Sequence, residues 1–212
     1  MSDEEQAVLN FFAQQENLPL ALSVAEQVDG LRQRMNTEFW VALRERISAL
    51  LVAHALPWQA ETTEDRNAPE CIVGLHLQPV TDQALYLRPM LEQQATGDTL
   101  RIYHGLAWSS APTPDQTRIT EVATLRETLQ DEGFKNNENF LAWGWTPHRP
   151  RRKDFLLRLS TDKDALLDET VDLIRHLLVD HGNAVNAANA ALRVAPRSAA
   201  VSLDQLRSKL KA

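Results

Sequence analysis

The chain has 212 residues, with 22 Lys+Arg against 29 Asp+Glu and a formal net charge of −7. Hydrophobic residues make up 43% and charged residues 24% of the chain, which is typical of a soluble folded protein. The single cysteine, Cys71, excludes a disulfide framework and a zinc site built on paired cysteines. No apolar run approaches the roughly 20 residues of a membrane span. The acidic stretch from Met1 to Asn10 lacks the basic start of a signal peptide. These features predict a cytoplasmic protein with no membrane association.

The first predicted elements are two helices. Ser2 is followed three residues later by Glu5, which predicts a capping box at the start of a short first helix. This helix is expected to end at Asn17-Leu18-Pro19. A long second helix then continues to about Ala55, because apolar residues recur at spacings of three and four over about ten turns. Its apolar stripe consists of Leu22, Ala25, Val28, Leu31, Met35, Phe39, Leu43, Ile47 and Leu50. Any part of this stripe that the rest of the fold leaves uncovered is the predicted surface of a homodimer.

The middle of the chain changes from helical periodicity to strand-like composition. Residues 59–70 are polar and irregular. Cys71 to Leu77, Ala84 to Leu87 and Leu100 to Trp108 are short and roughly alternating, with Pro79, Pro89 and Thr96-Gly97-Asp98 between them. We expect three strands joined by short turns, and therefore antiparallel neighbours.

A short helix, a fourth strand and a last long helix follow. Residues 120–131 have helical spacing, and the Trp-rich stretch from Phe140 to Trp145 has the composition of a strand. Phe155 to Leu159 is ambiguous between strand and helix. The last helix starts at Asp162 or Asp164 and ends in an Ala/Asn run at 183–191.

The order of these elements predicts an α+β fold. We expect a single domain over residues 1–192, with an antiparallel sheet of about four strands and long N- and C-terminal helices packed on one face. Residues 193–212 are rich in Ala, Ser, Arg and Lys and are predicted to form a flexible C-terminal tail.

Charge is distributed unevenly along the chain. Residues 1–131 carry 9 Lys+Arg against 19 Asp+Glu, whereas residues 132–212 carry 13 against 10. An acidic body disfavours general binding to the phosphate backbone and leaves a local site in the second half. The candidate is the basic loop after the fourth strand, with Arg149, Arg151, Arg152 and Lys153.

Aromatic residues precede that loop. Trp143 and Trp145 are two residues apart and share a face if this stretch is a strand. With Tyr103 and Trp108 they predict an aromatic platform for bases or another ligand. The alternative is that the aromatic residues belong to the core and that the basic loop is an ordinary solvated surface.

Catalytic motifs are scarce. There is no Gly-rich phosphate loop and no Gly-x-Ser-x-Gly elbow. His176 and Asp180 have the i,i+4 spacing of two ligands on one helix face, but His181 is expected to point elsewhere and no third ligand is evident. We therefore predict no cofactor, no metal and no catalytic residue. The alternative is an enzyme or metalloprotein with an unrecognised site around His76, His104 and Glu70.

Two stretches resemble part of a known protein family. The first lies within residues 7–51 and includes Ala21-Leu-Ser-Val-Ala-Glu-Gln-Val and Leu31-Arg-Gln-Arg-Met-Asn-Thr-Glu-Phe-Trp. The second is Phe140-Leu-Ala-Trp-Gly-Trp with Phe155 and the last helix. Together they resemble the region C-terminal to the nuclease core in a bacterial family of PD-(D/E)XK nuclease-like proteins. There, a helix ending in a Phe-Trp pair precedes a sheet, and a Trp-rich strand and a closing helix come later. The resemblance covers about residues 7–190.

The nuclease core of that family is missing from this sequence. Such a core needs acidic residues that hold Mg²⁺ and a lysine one residue beyond the second acid. Neither Asp-x-Lys nor Glu-x-Lys occurs in the chain. The resemblance therefore implies a stand-alone accessory domain, a non-catalytic interaction module. It would act in trans with a separately encoded nuclease or other effector, in a phage-defence or mobile-element context, and contact nucleic acid through the basic loop.

A second hypothesis follows from the charge distribution. The acidic first half suits a protein that masks a basic, nucleic-acid-binding partner, as an antitoxin or an immunity protein does. Both hypotheses predict a separately encoded protein partner.

Overall fold

A computed structural model describes residues 2–62, 73–83, 85–96 and 99–194. Within these ranges the chain forms six α-helices and five β-strands. The helices are α1 (Asp3–Phe12), α2 (Leu18–Ala53), α3 (Thr120–Asp131), α4 (Lys153–Thr161), α5 (Lys163–Arg175) and α6 (Gly182–Val194). The strands are β1 (Trp58–Thr62), β2 (Val73–Pro79), β3 (Leu87–Thr96), β4 (Thr99–Trp108) and β5 (Phe140–Trp145).

The five strands form one antiparallel sheet in the order β1-β2-β3-β4-β5. Strands that follow one another in the chain are neighbours in the sheet, and the antiparallel pairing of β2, β3 and β4 agrees with the short turns predicted between them. The α+β class and the antiparallel pairing are confirmed, and the sheet has five strands instead of about four. The additional strand is β1, in which Trp58 is buried and Gln59 and Glu61 are exposed.

The second predicted strand was misplaced. Ala84 to Leu87 was expected to form it, with Pro89 as a break, yet β3 starts at Leu87 and continues through Pro89. Proline lacks an N–H donor, so a proline in the sequence usually indicates the end of a strand. In this sheet Pro89 is paired with Leu106 of β4 over a ten-residue strand.

Both predicted N-terminal helices are present. Glu5 N donates to Ser2 Oγ at 3.2 Å and Ser2 N donates to the Glu5 carboxylate at 2.7 Å, so the capping box is confirmed. The long helix is also confirmed as α2. Its buried residues, however, start only at Asn36, so the first half of its stripe lies outside the core.

The last long helix is interrupted. A π-helical segment, His176–Asp180, separates α5 from α6. The apolar pattern does not reveal the interruption, because Ile174, Leu177 and Val185 all remain buried across it. The ambiguous stretch from Phe155 to Leu159 belongs to helix α4.

The main core lies between one face of the sheet and helices α2 to α6. Each of these helices contributes buried residues: Phe39 and Leu43, Val122, Phe155, Leu166 and Val185. They meet Leu75, Leu91, Ile102 and Leu106 of the sheet. Burial of such side chains contributes about 1.5–3 kcal/mol each, so this interface is the principal source of stability.

Among the described helices, none is long and apolar enough to cross a membrane. The predicted tail begins at Arg193, which the structure places in α6 together with Val194. Residues 195–212 of that prediction lie outside the described residues, as do Cys71 and Glu70.

Candidate functional site

The first half of the long helix and the helix before it form an exposed apolar surface. We call residues 3–31 the N-terminal arm. No residue of α1 is buried, and the buried residues of α2 start beyond the arm. Large hydrophobic side chains of the arm are 37–61% exposed: Val8, Leu9, Phe11, Phe12, Leu18, Leu20, Leu22, Val24 and Leu31. Exposed apolar surface of this extent is typical of protein-interaction sites.

The arm is also acidic. Residues 1–31 contain six Asp and Glu residues and no Lys, Arg or His. Asp3, Glu4 and Glu5 occupy the first turn of α1, where negative charge also stabilises the helix N-terminus. The arm therefore combines exposed apolar side chains with a uniformly negative charge.

A basic groove lies at the base of the arm. Arg151, Arg152 and Lys153 of the predicted basic loop line it together with Asp154, Leu157 and, from α2, Arg32. The groove is open to solvent and has a volume of about 650 Å³. Arg149 is exposed and lies outside this lining.

The groove keeps a net positive charge. Arg32 is paired with Asp29 at 3.1 Å, and Arg152 lies 4.0 Å from Asp154. Within the described part of the chain, no salt bridge holds Arg151 or Lys153. Two cationic side chains thus remain available to an anionic ligand.

The loop before the groove is anchored in the protein. His148 is 5% exposed, its ring packs on Phe155, and its Nε2 lies 3.2 Å from Thr170 Oγ1. Burial lowers the pKa of His148, so this ring is neutral and adds no charge to the basic loop. These contacts fix the start of the basic loop against α4 and α5.

The two tryptophans lie on the other face of the sheet. Trp143 and Trp145 pack against a second apolar cluster of Met90, Tyr103, Ala107 and Phe140, all from strands β3 to β5. The two rings are 5.6 Å apart, which confirms that they share a face. Trp108, predicted to join them, instead belongs to the main core on the opposite face.

Cations already occupy the faces of these rings. The Arg101 guanidinium lies 4.1 Å above the Trp145 ring, and Lys135 Nζ lies 5.6 Å from the Trp143 ring centroid. Neither tryptophan lines the basic groove. The structure therefore separates the aromatic and basic parts of the predicted site, and the two tryptophans are half-buried against the second apolar cluster.

A third feature is a cluster of two histidines and two carboxylates. Glu132, at the end of α3, lies between His176 and His181: its carboxylate is 2.9 Å from His176 Nε2 and 3.0 Å from His181 Nε2. On the other side of the ring, His176 Nδ1 donates to Asp180 at 2.9 Å. The expectation that His181 points elsewhere was wrong. The π-helical segment brings the two imidazoles to 4.7 Å.

The carboxylates determine the charge state of this cluster. Hydrogen bonds to Glu132 and then to Asp180 raise the pKa of His176. The same contacts with His176 lower the pKa of both carboxyl groups. The two carboxylates therefore favour the protonated form of His176, which bridges them.

The two histidines of the alternative site, His76 and His104, do not meet, and Glu70 lies outside the described residues. His76 pairs with Met90, which pairs with Gly105, so His76 and His104 lie on opposite faces of the sheet. Burial lowers the pKa of His104 to about 4.

Sequence reasoning missed Arg32 in the groove and Glu132 and His181 in the cluster. Glu132 is separated from the two histidines by 44 and 49 residues, and no local motif links them.

Comparison of the chain with protein families, with curated proteins and with solved structures finds no match. The resemblance to the accessory region of PD-(D/E)XK nuclease-like proteins therefore stays a prediction.

Proposed function

We propose that the protein is a non-catalytic interaction module that binds a separately encoded, basic protein partner. The partner would be a nuclease or another effector of a defence or mobile-element system. Binding would either assist the effector in trans or neutralise it, as an antitoxin or immunity protein does. The nuclease context comes from the family resemblance, and the binding mode is argued from the N-terminal arm.

The observation that carries the proposal is the exposure of the arm. Nine of its large apolar side chains are 37–61% exposed, whereas Phe39 and Leu43, further along the same helix, are fully buried. Removing apolar surface from water yields roughly 25 cal/mol per Å². A partner that covers the arm would gain this free energy, which the folded chain leaves unused.

The charge of the arm favours a basic partner. Six acidic side chains without a basic one attract a positively charged surface and accelerate the encounter with it. Two arms packed against each other would bring like charges together, which is unfavourable. Electrostatics thus favours a basic protein over the homodimer that the exposed stripe also predicts.

The arm can be tested with matched substitutions on one helix. Leu20 and Val24 are one helical turn apart and are 61% and 55% exposed, and Val52, near the other end of α2, is 81% exposed. The Leu20→Gln/Val24→Gln double variant should lose the partner, and Val52→Gln should retain it. Both variants should melt like the wild type, because none of the three side chains is buried.

The measurement is affinity capture from the native host after nuclease treatment, followed by mass spectrometry and light scattering. Support requires one stoichiometric partner of basic pI that Val52→Gln retains and the double variant loses. Equal capture by the two variants contradicts the arm as the binding surface. A dimer that light scattering detects without any partner, and that the double variant abolishes, would assign the arm to self-association.

A second candidate function is contact with a nucleic-acid backbone through the basic groove. This function is favoured by the position of Arg32, which lies on α2 and lines the same groove as Arg151 and Lys153. The basic surface therefore extends beyond the loop. Each phosphate contact that is lost should reduce the slope of log K against log salt by about one.

The groove is tested by titrating labelled single- and double-stranded DNA and RNA at several salt concentrations. Arg151→Ala/Lys153→Ala should weaken binding of the preferred nucleic acid and lower the salt slope by about two. Arg34→Ala, at a 79% exposed side chain, is the control and should bind like the wild type. An unchanged slope in the double variant removes the groove from consideration.

A further inference from the structure

We infer that Glu132, His176 and His181 bind a divalent transition-metal ion of the Zn²⁺ type. The site lies apart from the N-terminal arm, and the inference does not depend on the proposed function.

The three side chains present their ligand atoms to a common point. One ligand atom from each residue lies within 4.8 Å of the other two. Glu132 is 2.9 Å from His176 Nε2 and 3.0 Å from His181 Nε2. Ligands of tetrahedral Zn²⁺, bound at about 2.1 Å, stand about 3.4 Å apart. Small side-chain movements therefore suffice to admit the ion.

The backbone places the two histidines for this geometry. In a regular α-helix, residues five apart point about 140° away from each other. Here His181 N donates to His176 O at 3.1 Å, an i to i+5 bond of the π-helical segment. This wider turn brings the rings to 4.7 Å. Such π-helical turns are rare and occur frequently at functional sites.

An outer carboxylate orients the first ligand. His176 Nδ1 donates to Asp180 Oδ2 at 2.9 Å, which directs Nε2 toward Glu132 and His181. Metal-binding histidines almost always donate their second ring N–H to a carboxylate, a carbonyl or water. Asp180 is thus a positioning residue. A bound ion would replace the proton that His176 Nε2 shares with Glu132.

The ligand set selects the kind of metal. Two imidazoles and one carboxylate suit Zn²⁺ and neighbouring transition ions, whereas Mg²⁺ and Ca²⁺ prefer oxygen ligands alone. The side chains of His176 and Glu132 are 39% and 36% exposed, so an ion can enter from solvent. Three protein ligands leave a fourth position for water.

The test is calorimetric titration of tag-free protein with Zn²⁺ after dialysis against a chelator. We expect one ion per chain and a melting temperature that rises with Zn²⁺ and falls again with chelator. Glu132→Gln and His181→Gln should each weaken binding at least tenfold, and Asp180→Asn should weaken it about tenfold. His54→Gln, at the end of α2 and outside the cluster, is the matched control and should bind like the wild type.

A measurement on the wild type keeps the test independent of variant folding. Zn²⁺ should shift the imidazole nitrogen resonances of His176 and His181 in NMR spectra and leave those of His54 unchanged. The inference is overturned if the wild type binds no stoichiometric Zn²⁺, or if folded Glu132→Gln and His181→Gln both bind it as tightly as His54→Gln does. The cluster would then be an ion-pair network that joins α3 to the π-helical segment.

Discussion

At the scale of single residues, His104 shows how burial governs a titratable group. Its ring lies 5.2 Å from the Phe134 ring, and Nδ1 is buried without a hydrogen-bond partner in the described chain. Burial is the largest cause that lowers its pKa to about 4, and a hydrogen bond with the backbone of Gly144 opposes the shift.

This environment predicts acid sensitivity. Between pH 6.5 and 4 the unfolded chain protonates His104 and the folded chain does not, so stability falls as the pH falls. The His104→Leu variant lacks this contribution. Between pH 6.5 and 4 its free energy of unfolding should therefore fall by up to about 3 kcal/mol less than that of the wild type.

Urea denaturation of His104→Leu and wild type at pH 7, 5.5 and 4.5 measures the effect. Other histidines titrate in both proteins, so the difference between the two stability curves is the informative quantity. A difference that does not change with pH would show that His104 is already accessible to protons in the folded state.

At the scale of elements, the pairing of β4 with β5 depends on one glycine. A Cβ at Gly105 would collide with the backbone of Ala142 and Trp143, whereas a Cβ at Gly144 would meet His104 and Phe134 at 3.7 and 3.9 Å, which is ordinary contact. Gly105 also precedes the register shift between Leu106 and Ala107. Glycine is needed at position 105 because the backbone of β5 approaches it closely, and not because the chain turns there.

We therefore expect Gly105→Ala to destabilise the protein by about 2 kcal/mol or more, since backbone cannot move aside cheaply. Gly144→Ala on the neighbouring strand should change stability by less than about 1 kcal/mol. Thermal and urea unfolding of both variants measures the contrast. Equal losses of stability would mean that strand propensity, and not the steric contact, sets the cost.

At the scale of the whole molecule, α2 belongs to two different environments. Leu43 is fully buried in the main core, and Leu22, on the same predicted stripe, is 56% exposed. The helical spacing is uniform over both halves, so the pattern alone assigns them the same role. The sheet covers only the second half, which leaves the arm outside the folded core.

The difference predicts unequal contributions to stability. Deleting residues 2–16, which include α1, should change the free energy of unfolding by less than about 1 kcal/mol, because α1 has no buried residue. Leu43→Ala should cost about 2–5 kcal/mol through the cavity that it creates. Urea denaturation compares the two. A large loss in the truncated chain would indicate that the arm folds back on the core in solution.

The sequence by itself determined the local features of this protein. The spacing of apolar residues located α2 and α3, the capping box located the start of α1, and alternation with short turns implied an antiparallel sheet. The acidic first half and the basic run at 149–153 could also be read directly. These features depend on neighbours within a few residues, which is the range over which helical and strand periodicity acts.

Only the tertiary structure decided which residues meet across the chain. It placed Arg32 beside Arg151, separated Trp108 from Trp145 by the thickness of the sheet, and brought Glu132 to His176 over 44 residues. Periodicity shows that a face is apolar, but it does not show what covers that face or how the backbone winds within one turn. Both depend on how helices and strands that are distant in the sequence pack against one another. For this reason the exposure of the arm and the histidine cluster are seen only in the tertiary structure.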